Sequence, residues 1–301
     1  MEHLALGLVL LAGTLAAGSP LCRQDLYSIK EVALDMAPTS FDDQYQGCSR
    51  MMEEELGELN RTEFANNIVY AKAWTQAAAA WRSQQGRIPS PRALRPEQAV
   101  AIRAYTLKSP LYQEFNVAVR ERGRSLREYL DAFHFKTLHF LLSEALRALR
   151  DAQPHHCHRV YRGVRDRFTA QLGQRIRFGR FTSTSFRKKS AECFGRETVF
   201  SVETCYGVPI RDFSEFPGEE EVLIPPFEIF EVTKVTREKG KPFIELRSQG
   251  ARSTYNCEFV KEKRCKDKPC VFSAGMRVSG DPPHLWGLLL AATALAFAGH
   301  P

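Results

Sequence analysis

The spacing of apolar residues changes character near the middle of the chain. From about Leu26 to Leu149 they recur at helical intervals. Phe64, Ile68, Ala71, Trp74 and Ala78 form one stripe, Leu126, Tyr129, Leu130, Phe133 and Phe135 a second, and Leu138, Leu141, Leu142 and Leu146 a third. Steps of three and four put such residues on one helix face, which must be buried against a neighbour. Ser90-Pro91, Arg95-Pro96 and Ser109-Pro110 interrupt this half. Pro96 followed by Glu97 predicts the first turn of a helix, where a missing N–H costs nothing.

After Pro154 the apolar runs are short and rich in β-branched and aromatic residues. Arg159 to Val164, Ile176 to Ser185, Thr198 to Thr204, Val222 to Val235 and Phe243 to Arg247 are separated by Gly, Pro and charged turns. That texture predicts strands of a mainly antiparallel sheet or sandwich. With no internal repeat, the expected class is α+β: a helical lobe over about 26–150 packed on a β core over about 155–262.

Composition narrows the classes. Of 301 residues 44% are hydrophobic and 26% charged, enough for a sizeable core. The net charge of +7 is spread along the chain, apart from short clusters such as Arg187-Lys188-Lys189. No helix-turn-helix, RRM or zinc-finger spacing accompanies it, so nucleic acid is not an expected partner.

Both ends resemble processing signals. Leu4 to Ala17 is apolar, too short to span a bilayer comfortably, and runs into the small residues Ala16-Ala17-Gly18. It reads as a signal peptide over 1–18, although Glu2 and His3 stand where Lys or Arg is usual. Leu285 to Ala298 is apolar and ends without a basic stop-transfer cluster. The polar spacer Met276 to His284 and the trio Ser273-Ala274-Gly275 precede it; Ser279-Gly280 is a competing site that leaves a shorter spacer. That layout over 276–301 fits a GPI-attachment signal; a tail that merely helps secretion, or stays as a weak anchor, is the other reading. The mature chain is then one domain over 19–275, at the cell surface or released, expected to be a monomer that touches membrane only through a lipid.

Eight cysteines suit an oxidising compartment: Cys22, Cys48, Cys157, Cys193, Cys205, Cys257, Cys265 and Cys270. None forms a CxxC pair. The run His155-His156-Cys157-His158 has no second ligand pair, so disulfides are expected and no metal. Asn60-Arg61-Thr62 is an N-glycosylation sequon, usable only in the secretory pathway.

Three segments of the β half carry candidate chemistry: Tyr161-Arg162-Gly163, Phe181-Thr182-Ser183-Thr184-Ser185, and Phe216-Pro217-Gly218-Glu219-Glu220-Glu221-Val222. Singly, each has an ordinary explanation: an ion-pairing arginine, a polar sheet face, a solvated acidic turn. Together and in this order they resemble the vertebrate arginine-specific ecto-mono-ADP-ribosyltransferases, a branch of the cholera-toxin-like class marked by Arg, Ser-Thr-Ser and Glu-x-Glu. The resemblance extends to Ser40-Phe41-Asp42-Asp43-Gln44-Tyr45, Phe135 to Phe140, Phe216 to Pro226, and Ser253 to Glu258. It covers nearly the whole mature chain.

The resemblance implies the ADP-ribosyltransferase fold, with NAD as co-substrate bound by the β core, and transfer of ADP-ribose to arginines of extracellular proteins. It gives Arg162 and Gly163 to the cofactor. A guanidinium is a planar, permanently charged fork that suits phosphate. Ser183 would hold the nicotinamide-ribose side. Phe194 would stack on nicotinamide, with an ordinary core Phe as the alternative. Glu221 would stabilise the oxocarbenium-like charge that develops as the nicotinamide–ribose bond breaks. Glu219 would bind the acceptor guanidinium and take its proton. In extended backbone, residues two apart share a face, which predicts Glu219 and Glu221 together and Glu220 turned away, solvated or structural.

By matching position, the resemblance also implies Cys48–Cys257 and Cys157–Cys205; closing a loop as long as the first removes about 4–5 kcal/mol of unfolded-state entropy in the simple model. Cys265 and Cys270 would close a small loop. Cys22 and Cys193 either pair with each other or leave Cys193 as a buried thiol. Two other functions stay open from sequence: mainly NAD glycohydrolysis, with water as acceptor, and a catalytically silent surface protein of the same fold.

Overall fold

The structure is a computed structural model that describes residues 29–84, 94–154, 156–266, 270 and 272. Both end signals and Cys22 lie outside the described residues.

Six helices precede the main sheet: α1 (Ser49–Asn66), α2 (Ile68–Gln84), α3 (Pro96–Thr106), α4 (Leu111–Glu121), α5 (Leu126–Ala132) and α6 (Lys136–Asp151). α6 buries Leu138, Leu141, Leu142, Ala145, Leu146 and Leu149 along one stripe. Its first N–H groups have no partner within the helix. Buried Glu63 of α1 supplies one, accepting from the N–H of Lys136 at 2.6 Å and of Thr137 at 2.9 Å. α3 opens at Pro96 and is buried continuously from Gln98 to Tyr105. A helix buried on every side belongs inside, its polar Gln98 and Arg103 included, and α3 packs against both α2 and α6.

The remaining elements are β1 (Glu31–Ala33), β2 (His158–Val164), β3 (Arg167–Thr169), β4 (Arg175–Arg177), β5 (Thr182–Ser185), α7 (Lys188–Glu192), β6 (Thr198–Thr204), β7 (Val208–Pro209), β8 (Glu221–Ile224), β9 (Glu228–Glu238), β10 (Lys241–Ala251) and α8 (Glu258–Arg264). β1 and β3 pair in parallel, apart from an eight-stranded sheet ordered β4-β9-β10-β6-β2-β5-β8-β7. Every pair in the large sheet is antiparallel except β6 with β10. The α+β class read from the sequence is the class observed.

Two predicted strands are each divided. The run Ile176 to Ser185 becomes β4 and β5, far apart in the sheet. Between them Gly179 has φ of +63°, and a Cβ there would lie 2.2 Å from that of Ala37. Only glycine turns the chain in that space. The run Val222 to Val235 breaks at Pro225-Pro226, which cannot donate to a ladder.

The sheet bends at β2. That strand pairs with β6 along its length but with β5 only at Tyr161↔Ser185. One apolar core lies on the helical side and takes in Phe181, Val208 and Leu223 from the sheet. A second gathers Val160, Phe200, Val202, Val222, Ile224, Phe230 and Ile244. Alternation along β8 therefore serves both cores, with Val222 and Ile224 to one side and Leu223 to the other.

Three disulfides occur among the described residues: Cys48–Cys257, Cys157–Cys205 and Cys265–Cys270. The first joins the start of α1 to the start of α8. Asp43 reinforces that junction, accepting from the N–H of Tyr45, Cys257 and Glu258. Asn60 lies within α1, where its Oδ1 accepts from the Tyr70 hydroxyl at 2.7 Å.

Candidate active site

The bend in the sheet creates the site. Where β2 and β5 part, ladder hydrogen bonds are lost, and the Arg162 side chain fills the gap by donating to the Ser183 carbonyl at 2.6 Å. Antiparallel pairing sets Ser183 opposite Leu223 and Ser185 opposite Glu221. These four residues therefore share a face of the sheet, the face toward the helical lobe. α3 reaches the same place, its Tyr105 hydroxyl donating to the Phe181 carbonyl at 3.0 Å and accepting from Asn116 at 3.0 Å.

Glu221 is 6% exposed. Burial pushes its carboxyl up to about 7, and neighbouring Glu219 pushes the same way. The hydroxyls of Ser183 and Ser214 and the Arg162 guanidinium act in the opposite sense by favouring the ionised form. A carboxylate poised near neutrality among oriented donors is a common catalytic arrangement.

Glu219 is not on a strand, and here the extended-backbone expectation fails. Pro217–Glu219 forms a 3-10 turn, and Glu220 leaves it in the left-handed region at φ +49° and ψ +49°. Pro217 and Gly218 favour the turn over continued extension. Strand alternation therefore does not orient Glu219, which nonetheless acts electrostatically on Glu221. The Glu219 carboxyl is half-buried, and that burial raises its pKa. Its backbone carbonyl accepts from the Ser185 hydroxyl at 2.6 Å. Glu220 pairs with Arg187 at 2.5 Å, outside the cluster.

Gly163 has a packing role in addition to any contact with a ligand. A Cβ there would lie 2.2 Å from the Gly195 carbonyl oxygen and 2.6 Å from that of Ala191; a Cβ on Gly195 would in turn meet Val164 at 2.2 Å. The two glycines let α7 and its following turn press onto β2. Phe194 stands on that turn and is 56% exposed, which excludes the core reading.

Sequence reasoning missed several residues that the fold brings here. Arg180 lies close enough to Arg162 that burial and that like charge lower its pKa. At Tyr112 burial raises the phenol's pKa, but Arg162 and Arg180 outweigh it and the net direction is down. Two guanidiniums and a phenol directed at one place suit a dianionic pyrophosphate. Arg180 stands three residues before Ser183, at the edge of a motif already singled out. Tyr105 and Tyr112 come from distant helices and carry no local signal. A cavity of about 150 Å³ surrounds the Cys157–Cys205 bridge, lined partly by Arg150, His156 and His158; none of Arg162, Ser183, Glu219 and Glu221 lines it.

Fold and site together define an ADP-ribosyltransferase. A model of the NAD:arginine ADP-ribosyltransferase family matches residues 34–254, and the chain belongs to that family. It is 59% identical to the erythroblast NAD(P)(+)–arginine ADP-ribosyltransferase of Gallus gallus, over 90% of each chain. It is 45% identical to the GPI-linked NAD(P)(+)–arginine ADP-ribosyltransferase 1 of Homo sapiens, over 100% of this chain and 96% of that one. Among solved structures, the eukaryotic mono-ADP-ribosyltransferase ART2.2 superposes with a TM-score of 0.66 at 36% identity, covering 75% of this chain and 98% of that one. Mutants of ART2.2 have been crystallised with NADH and with NAD.

Proposed function

We propose that the chain cleaves the nicotinamide–ribose bond of NAD at Glu221 and passes the ADP-ribosyl group to an arginine guanidinium held by Glu219. The observation that carries this reading is the pairing of a buried carboxyl near pKa 7 with a second, more exposed carboxyl close enough to perturb it. Arg162 and Arg180 hold the pyrophosphate, beside the Tyr112 phenol on which both charges act. Ser183 holds the ribose side, and exposed Phe194 offers a face for nicotinamide. As the C–N bond breaks, its electron pair leaves with nicotinamide and positive charge grows on the sugar. The ionised Glu221 stabilises that charge. The guanidinium nitrogen attacks the anomeric carbon and gives its proton to Glu219, since a free guanidinium is too weak an acid to lose it to water at neutral pH.

Relatives of this chain are named as GPI-linked, which supports a cell-surface location. The mature chain runs from about residue 19 to 275, and its apolar tail is exchanged for a lipid. Its protein substrates are arginine-bearing surface or extracellular proteins, and Asn60 carries a glycan.

Labelled NAD with agmatine, a free guanidine acceptor, tests the reading directly. ADP-ribosyl-agmatine is the expected product. Free ADP-ribose alone would make water the acceptor, and no turnover would leave a silent binding protein.

A further inference from the structure

Burial raises the pKa of the Glu219 carboxyl, which among the described residues makes no hydrogen bond or ion pair. Its position is therefore inherited from the loop that carries it. That loop closes where the Ile210 N–H donates to the Glu221 carbonyl at 3.0 Å. Its middle is fastened to the helical lobe. The Arg103 guanidinium of α3 meets the Glu215 carboxylate at 2.6 Å, with the two side chains 8% and 31% exposed. The Glu215 N–H donates to Thr106 Oγ1 at 3.0 Å. Arg103 and Thr106 are three residues apart, hence on one face of α3. Two residues before Glu215, buried Phe213 stacks against Trp81 of α2, with ring centroids 6.1 Å apart. Glu221 differs: it stands in β8, paired on one side with β5 and flanked on the other by β7.

We infer that Arg103 and Glu215 are positioning residues through which α3 sets the balance between transfer to guanidine and loss to water. The inference rests on the acceptor role of Glu219. Both outcomes begin with the same cleavage, in which nicotinamide takes the C–N electron pair. In transfer, a guanidine nitrogen supplies the new pair to the anomeric carbon and its proton goes to Glu219. In hydrolysis, water supplies the pair and its proton passes to solvent. Loosening the loop at Glu215 displaces the carboxylate that only transfer requires, whereas Glu221 stays fixed by the sheet and its partner Ser214 stays tied to the loop base, its N–H donating to the Ile210 carbonyl at 2.9 Å. Misplacing a positioned group by about 1 Å costs up to about a hundredfold in rate.

The test uses the full chain with labelled NAD and agmatine, recording ADP-ribosyl-agmatine, free ADP-ribose and the thermal midpoint for Glu215→Gln, Arg103→Met and Arg103→Lys. Glu215→Gln and Arg103→Met should lower transfer about tenfold, raise the agmatine concentration for half-maximal rate, and leave hydrolysis within about twofold. Arg103→Lys, which keeps the charge, should recover most of the transfer. A product ratio equal to wild type in Glu215→Gln, or a parallel fall in both products, would overturn the inference. Should Arg103→Met fail to fold, Glu215→Gln at the more exposed end of the pair decides. Glu219→Gln in the same assay separates the two levels: if it spares transfer, the acceptor assignment fails; if it abolishes transfer while Glu215→Gln does not, only the positioning role fails.

Discussion

The Arg162 guanidinium donates to the Ser183 carbonyl at 2.6 Å, across the opening where β2 and β5 cease to pair. The first two motifs thereby form one unit: the residue that would grip the cofactor phosphate also braces the strand carrying the ribose-side serine. A lysine keeps the charge but is a point charge without the planar fork that directs separate N–H groups at carbonyl and phosphate. Arg162→Lys should raise the KM for NAD about tenfold or more, the loss expected for a charged hydrogen bond of about 1.5–3 kcal/mol. Steady-state kinetics with varied NAD would detect it, and an unchanged KM would place Arg162 outside the cofactor site.

Glu221 predicts a pH signature in stability. Its carboxyl titrates near 7 in the folded protein against an ordinary 4.5. Between those values the folded state holds more protons than the unfolded state, so stability falls as pH rises through the window and levels off above it. Glu228, also near 7, and Asp43, raised to about 6, act in the same sense. Glu221→Gln removes the Glu221 contribution and leaves the others in place. Its unfolding free energy should gain on wild type from about pH 4.5 to 7, by at most about 3 kcal/mol. Denaturant melts at half-unit pH steps would show this, and a difference independent of pH would contradict the buried, protonatable state.

The close approach of α7 to β2 makes Gly163 intolerant of any side chain. Gly163→Ala brings a methyl group onto two backbone oxygens, so α7 must move, at about 1–3 kcal/mol for an overpacked contact. Displacing α7 carries Phe194 with it, so the KM for NAD should rise together with the loss of thermal stability. Gly57→Ala in α1, where a Cβ would meet nothing within 4 Å, serves as the control.

The α+β order was legible because both periodicities are strong. The Leu138 to Leu146 stripe is buried in α6, although the helix is also buried all round from Lys136 to Ser143, and β8 alternates between two cores. Boundaries were less legible. Gly179 divides a predicted strand only because Ala37, 142 residues earlier, occupies the space a side chain would need. The motif positions of Arg162, Ser183 and Glu221 could be read directly, but the surroundings of Glu219 could not. A Pro-Gly turn and a left-handed Glu220 override strand alternation there, and the support from Arg103 and Thr106 comes across more than 100 residues of sequence. Arg180 was within reach, one residue outside a quoted motif; its significance lies in its closeness to Arg162, which spacing does not reveal.

Comparing wild type with Glu219→Gln in the labelled-NAD and agmatine assay bears most directly on the two-carboxylate account. Loss of ADP-ribosyl-agmatine with continued release of free ADP-ribose is the predicted result, because the cleaving carboxylate of Glu221 remains. Equal loss of both products, or undiminished transfer, would contradict it.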